Sequence, residues 1–549
     1  MSGAGAGARS HLARRAGVVS AAVFASRIFG LVREQVFATC FGASRELDAF
    51  VTAFRIPNLL RDLFAEGALS AAFVSTFTQE LTRRGEAAAW RLANLVVSAL
   101  GLIVGVICVA GIVWAPAITE AIAPGFASVP GKMALTVELT RIMFPFLLLV
   151  ALSAVAMGVL NTRNRFGVPA AASAFFNIGS VIGGLAFAWW LAPEYLEALR
   201  HGGDRAGLDR LLAERAITGM AIGTLIGGLC QLLVQLPSLR GVGYRYRPQL
   251  SFDDPGLRQV MRLMAPATIG SAAVQINVFV NSNFASYLGD GPVSWLNVAF
   301  RFMQLPIGLF GVAIGTVALP ALSRHVAQGD SGALVRTLRQ SLELIALLCV
   351  PAAVGLALFG VPVIGLIYEH GRFDAADTLA AAGALRAYAI GLAGYAGIKV
   401  LAPAFYALDD ARTPMMVSLV SIVVNLTLNW TFVRVLGLGH VGLALSTSAV
   451  ALGNCALLYL LLRRRVGPLG GGLTARLARI GAAAVVMGVV GAVADVLVQP
   501  HLPDRRFLHY AIELAATVPL SVAVFAGAGV LLGLPLPRPL GRRLPAVTP

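Results

Sequence analysis

Apolar residues run through this chain in blocks about as long as a membrane-crossing helix, roughly 20 residues, with short Arg-, Gly- or Pro-containing breaks between them. About fourteen such blocks follow one another. Their centres fall near Val23, Leu63, Ile107, Leu147, Gly179 and Ile226, then near Val274, Leu309, Leu356, Leu392, Ile422, Ser448, Met487 and Val522. The pattern predicts an all-α polytopic membrane protein with about 14 transmembrane helices, the form in which every backbone polar group is satisfied within its own segment. The first block follows Arg9, Arg14 and Arg15 and begins like a signal peptide, but Arg27 and Arg33 interrupt its apolar run, so it reads as the first spanning helix.

Composition agrees: 57% of the 549 residues are hydrophobic and 13% charged, against roughly 25% charged in a soluble domain. The net charge of +16 would suit a nucleic-acid binder if it were gathered in one domain. Instead the arginines sit in alternate connections, at Arg83, Arg84 and Arg91, Arg163 and Arg165, Arg240, Arg245 and Arg247, Arg324, Arg336 and Arg339, and Arg463 to Arg465. The intervening connections hold Glu46, Glu120, Glu194, Glu197, Asp204, Asp209, Asp290, Glu369, Asp374, Asp377 and Asp504 with few basic residues. The positive-inside bias then places both termini in the cytoplasm, and no nucleic-acid partner is implied. Cys40, Cys108, Cys230, Cys349 and Cys455 are scattered through apolar segments without metal-ligand spacing and read as small core residues.

The chain also repeats itself. At an offset of 246 residues Ala53-Phe54-Arg55 with Leu63-Phe64 returns as Ala299-Phe300-Arg301 with Leu309-Phe310, and Pro116, Ile118 and Gly125 match Pro362, Ile364 and Gly371. At 247, Phe37-Ala38 and Gly42 match Phe284-Ala285 and Gly289. Six helices separate the copies, so they share orientation, as in transporters whose parallel halves enclose a midplane site. The expected organisation is an N-terminal lobe over 1–245, a C-terminal lobe over 246–465, and an added helix pair with a tail over 466–549.

Charges inside the blocks carry the functional signal. An arginine at the centre of a spanning helix costs roughly 2.5–3.5 kcal/mol, so several together need water, a partner or a ligand. The first block reads SRIFGLVREQ, with Arg27 and Glu34 on one face and Arg33 about 100° round from Glu34. In the second, LDAFVTAFRIPNLLRDLFAEGALS, Arg55, Asp62 and Glu66 share a stripe along which they can neutralise one another, Arg61 lies beside it, and Pro57 removes a backbone donor. In the second copy Arg301 survives, while Asp62 aligns with Gly308 and Glu66 with Val312. Arg33, Arg61 and Arg301 stand where arginines outnumber nearby carboxylates, and a planar fork that always carries charge suits a phosphate. Glu138 and Arg141, three apart, read as a local pair. There is no HExxH, and the nearest approach to a phosphate loop, GFASVPGKM from Gly125, has one residue too many and ends in Met. Neither catalysis nor a metal site is expected.

SRIFGLVREQ, LDAFVTAFRIPNLLRDLFAEGALSAAFV, FRFMQLPIGLFGVAIGTVALPALSR, YEHGRFDAADT and FYALDDARTP together resemble the MurJ/MviN family of bacterial lipid II flippases, over about Ala16 to Arg465. That family belongs to the multidrug/oligosaccharidyl-lipid/polysaccharide exporter superfamily. The resemblance implies two six-helix lobes around a cavity, a C-terminal pair that helps form a lipid-tail groove, and a place in the bacterial inner membrane. Carried across by motif, the arginines implied to contact the diphosphate-sugar headgroup are Arg27, Arg33, Arg61 and Arg301, and the acidic positions shaping the cavity or gate are Glu34, Asp48 and Glu66. Glu34 stands where many relatives have Asp, and Phe300 and Gln304 stand where many carry carboxylates. A sodium site belongs to parts of the family; its carboxylates find no clear counterpart here, so monovalent-cation coupling stays open, and no other cofactor is implied. Implied partners are lipid II, membrane lipids and proteins of cell-wall synthesis. The rival readings are a flippase for another polyprenyl-diphosphate glycan, a cationic-drug exporter, which the arginine excess disfavours, and a non-transporting scaffold of the cell-wall machinery.

Overall fold

The structure, a computed structural model, describes residues 3–61, 68–201, 210–468, 470 and 472–534, and all the regular structure among them is helical. In chain order the helices are α1 (Gly3–Phe41), α2 (Arg45–Arg61), α3 (Ala68–Arg84), α4 (Glu86–Val113), α5 (Ala115–Ile122), α6 (Lys132–Met143), α7 (Phe146–Thr162), α8 (Gly167–Leu191), α9 (Pro193–Arg200), α10 (Arg210–Leu233), α11 (Leu236–Gly241) and α12 (Pro255–Ser286). They continue as α13 (Pro292–Pro306), α14 (Ala313–Ala327), α15 (Ser331–Leu358), α16 (Gly360–Tyr368), α17 (Ala375–Ala407), α18 (Arg412–Asn429), α19 (Gly439–Val466), α20 (Leu473–Val498) and α21 (Arg506–Leu531).

Among the described residues eleven helical stretches are long and apolar enough to cross a membrane. Each contains one of the predicted centres from Ile107 onward, Val274 excepted. Of the three remaining predictions, Val23 falls on α1 and Val274 on α12, while the centre Leu63 lies outside the described residues, between α2 and α3 in sequence, so the fourteen-helix expectation is consistent with the fold. These three are the polar ones: α1 carries Arg27, Arg33 and Glu34, α2 carries Arg55 and Arg61, and α12 carries Gln275, Asn277, Asn281 and Asn283.

The chain divides into two compact units, one of residues 1–294 with 370–374 and one of 295–369 with 375–549. In the first, Phe73, Phe77, Leu92, Val96 and Val155 form a core among α3, α4 and α7. Phe37, Phe50, Leu139, Met143, Ile217 and Met220 form another among α1, α2, α6 and α10. The backbones of α8 and α10 approach closely where glycines recur every fourth residue, at Gly219, Gly223 and Gly227. A Cβ at Gly223 would collide with the Cα of Gly184 and lie 2.6 Å from the Ser180 carbonyl, and one at Gly227 would lie 2.5 Å from the Phe176 carbonyl. With little hydrophobic drive between helices in lipid, such close packing is what holds them together. The start of α12 is fixed by Asp254, whose side chain accepts from the amides of Gly256 and Leu257, with Pro255 in the first turn where no donor is needed.

The repeat noted in the sequence has a physical counterpart within this unit. The backbone at Gly125 packs on Ser286, where a Cβ would lie 2.5 Å from the Ser286 carbonyl, and the Gly125 amide donates to Ser286 Oγ at 3.0 Å. Its repeat mate Gly371 packs on Thr39, which matches Ser286 at the 247-residue offset, and the neighbouring Arg372 amide donates to the Thr39 carbonyl at 2.9 Å. One contact is thus made twice, with the copies exchanged. Gly371 has φ +59° and Gly42, also against Arg372, has φ +62°, a conformation that favours glycine at both positions.

In the second unit α17 and α19 approach at Gly391 beside Ser448, Gly394 beside Ala451 and Gly397 beside Cys455. Ala346, Leu347, Ile480, Met487 and Phe525 join α15, α20 and α21. Pro306 ends α13, and residues 307–312 continue as a π-helical turn into α14, the local widening that follows when an intrahelical donor is missing. The five cysteines are free thiols; Cys108 and Cys349 are buried and the others half-buried.

Candidate functional site

Within the first unit, α1 and α2 deliver the predicted cationic residues to different environments. Arg27 is exposed. Arg33 is held: its Nη2 donates to Glu34 Oε1 at 2.7 Å, the two side chains are 13% and 15% exposed, and the guanidinium lies 5.1 Å from the Phe176 ring centre and 5.9 Å from that of Phe54. The two residues leave the helix about 100° apart, as expected, yet their side-chain tips meet. Adjacent residues on a helix diverge at Cβ, but both arms are long, and away from bulk water the attraction is strong enough to fold them together. Asn177 of α8, next to Phe176 in sequence, donates from Nδ2 to the carbonyls of Ser26 at 3.3 Å and Ser173 at 3.0 Å, tying α8 to α1.

Arg55 is half-buried on α2, and its Nη1 donates to Ser282 Oγ of α12 at 2.5 Å. Its reach is therefore not confined to its own helix, as the sequence stripe suggested; Asp62 and Glu66, the other members of that stripe, lie outside the described residues. Arg61 ends α2 and is half-buried. Arg301, in the second unit, is half-buried on α13 one turn before Pro306, and its neighbour Phe300 packs edge-on against Tyr388 with ring centres 5.6 Å apart. Glu138 and Arg141 do not form their expected pair; Arg141 Nε donates to the Ile112 carbonyl at 3.3 Å.

Asp48 lies in the first turn of α2 and is fully buried. Its Oδ1 accepts from the Ser294 amide at 2.9 Å and the Ser294 hydroxyl at 2.7 Å, and its Oδ2 from the Gly291 amide at 2.8 Å and Lys132 Nζ at 3.0 Å. Lys132, also fully buried, donates further to Asp290 Oδ1 at 2.8 Å and the Gly289 carbonyl at 3.0 Å. Asp48 and Ser294 are themselves repeat mates, 246 residues apart. Sequence reasoning missed Lys132, Asp290, Ser294 and Ser282. Two signals were available: a lysine opening α6, where the helix dipole disfavours a cation, and the repeat offset that pairs Asp48 with Ser294.

What this arrangement can do is hold negative charge: Arg33 has two aromatic rings and a carboxylate, and Arg55 a serine hydroxyl, suited to fixing their direction, and no covalent step is required of them. The family described as lipid II flippase MurJ matches residues 37–510. A relative from Burkholderia cenocepacia, named lipid II flippase MurJ, is 37% identical over 478 residues, covering 86% of this chain and 88% of its own. Among solved structures, that of a lipid II flippase MurJ in an inward closed conformation has a TM-score of 0.72 at 26% identity, over 93% of this chain and 98% of that one. An inward-facing multidrug resistance MATE family transporter of the MOP superfamily has a TM-score of 0.65 at 14% identity over 81% of this chain and 95% of its own, a likeness of fold alone. With spans of this number and a match of this extent, the chain is a multi-pass membrane protein and belongs to the lipid II flippase MurJ family.

Proposed function

We propose that this chain moves lipid II from the inner to the outer leaflet of the bacterial inner membrane, with both termini cytoplasmic, by exposing a headgroup site alternately to the two faces. Arg33 and Arg61, with Arg27 near the entrance, are the diphosphate ligands proposed for the first unit, and Arg301 the one for the second; Glu34, Asp48, Arg55, Asp62 and Glu66 are proposed to shape and gate their surroundings. The observation that carries the reading is the half-buried Arg33, steered by Glu34 and two aromatic rings within a helix of spanning length, in a chain of this family. The polyprenyl tail stays in lipid throughout. A potential negative inside favours outward movement of negative charge by roughly 2.3 kcal/mol per charge per 100 mV, so a diphosphate supplies much of its own bias and nothing in the cycle requires ATP.

The test is complementation of cells depleted of their own lipid II flippase, scored by growth and by lipid II in the outer leaflet. The native chain is expected to restore both, and Arg33→Ala or Arg301→Ala to fail at normal expression. Arg33→Lys separates the two-pronged fork from the charge and is expected to rescue only in part. Full rescue by the Arg33→Ala, Arg301→Ala double variant overturns the arginine mechanism, and failure of the native chain favours another polyprenyl-diphosphate glycan or a scaffold.

A further inference from the structure

Lys132 is placed where a lysine is costly, at the first position of a helix and fully buried. Each of its three ammonium protons meets an oxygen: Asp48 Oδ2 at 3.0 Å, the Gly289 carbonyl at 3.0 Å and Asp290 Oδ1 at 2.8 Å. The Phe126 ring covers it, with its centre 4.2 Å from Nζ. The oxygens come from α2 and from the turn that leads into α13, and the lysine itself belongs to α6, so one cation joins three parts of the first unit. Two carboxylates and a carbonyl converging on one point form the donor set of a hard monovalent cation, with an aromatic face as the cover. Asp290 is 44% exposed and gives the cage a solvent-facing side. The positions matching Asp48 and Lys132 in the second copy are Ser294 and Thr378, so this charge pair belongs to one copy alone.

We propose that Lys132 is a tethered cation: its ammonium fills an oxygen-lined site for a small monovalent ion, and cutting the side chain back will turn that site into one that binds a free alkali-metal, ammonium or methylammonium ion. The native protein carries its own ion at this point, so the closure of α2 and α6 on the turn before α13 is independent of the salt outside. The inference stands whatever headgroup the chain transports.

The test uses the purified full-length chain in detergent or nanodiscs and follows thermal unfolding in choline, sodium, potassium, ammonium and methylammonium chlorides at matched ionic strength, choline being too large for the cage. The native midpoint is expected to be indifferent to the cation. Lys132→Ala should unfold roughly 5–10 °C lower in choline and regain at least half of that loss in methylammonium, with a smaller gain in potassium or ammonium. Lys132→Gln, whose stem still fills the space, should be destabilised without any cation response, and adding Asp48→Asn to Lys132→Ala should abolish the response. If Lys132→Ala does not survive extraction, its accumulation in membranes of cells grown with methylammonium or choline gives the same comparison. Equal behaviour in all five salts, or native stability of Lys132→Ala in choline, overturns the proposal. None of these readouts involves transport, so they can fail while the flippase reading stands.

Discussion

Asp48→Ala is expected to destabilise the first unit by about 3–5 kcal/mol, the scale for removing one partner of a buried ion pair. The residue has no solvent exposure and receives four hydrogen bonds, from the Gly291 and Ser294 amides, the Ser294 hydroxyl and Lys132. Its removal leaves a buried ammonium with one carboxylate, Asp290, and strips the partner from two amides at the start of α13. Asp48→Asn keeps the shape and an acceptor but loses the charge, and should cost about 1.5–3 kcal/mol. Denaturant titration in mixed micelles gives the order native, Asn, Ala. Equal stability of all three would mean that the network is not a buried anchor. Hydrogen exchange at residues 291–294 should accelerate in the same order.

The second large effect is expected at Gly223. Overpacking by a side chain typically costs roughly 1–3 kcal/mol because rotamers give way. At Gly223 the obstacle is backbone, the Gly184 Cα and the Ser180 carbonyl, so α8 and α10 must separate along their length. Gly223→Leu should therefore exceed that range, and Gly223→Ala should already be measurable, in contrast with Gly105→Ala, where nothing lies within 4 Å of the added carbon. Protease resistance and midpoint in detergent make the comparison; a Gly223→Leu protein as stable as Gly105→Ala would refute the close-packing account. Because α8 also carries Phe176 against the Arg33 guanidinium and Asn177 bonded to the α1 backbone, the same substitution should lower transport beyond its effect on abundance.

The apolar pattern placed the helices well because a lipid-spanning segment must satisfy its own backbone, which makes length and hydropathy sufficient. It was weakest in showing where polar side chains go. Arg33 lies half-buried on α1, but its pairing with Glu34 depends on side-chain reach that helical angles do not record. Arg55 was read along its own helix because sequence shows neighbours three and four residues away; Ser282, 227 residues on, is invisible to that logic. Lys132 appeared only as the end of a failed phosphate loop, since the carboxylates it meets are far away in sequence. The duplication was legible as scattered identities, and its exchanged contacts emerged only in three dimensions.

That exchange bears on ancestry. A contact in which a glycine of one copy meets the Thr or Ser of the other, and the reverse, is what a two-fold symmetric pair of half-length chains makes once per subunit from a single coded glycine. In a dimer of identical subunits any change at such an interface is felt twice and must suit both sides at once. Fusion releases that constraint, and each half can then drift alone. Gly125 with Ser286 and Gly371 with Thr39 keep that two-fold relation between the copies; Asp48 and Lys132 against Ser294 and Thr378 depart from it, so only the first copy carries the charged anchor.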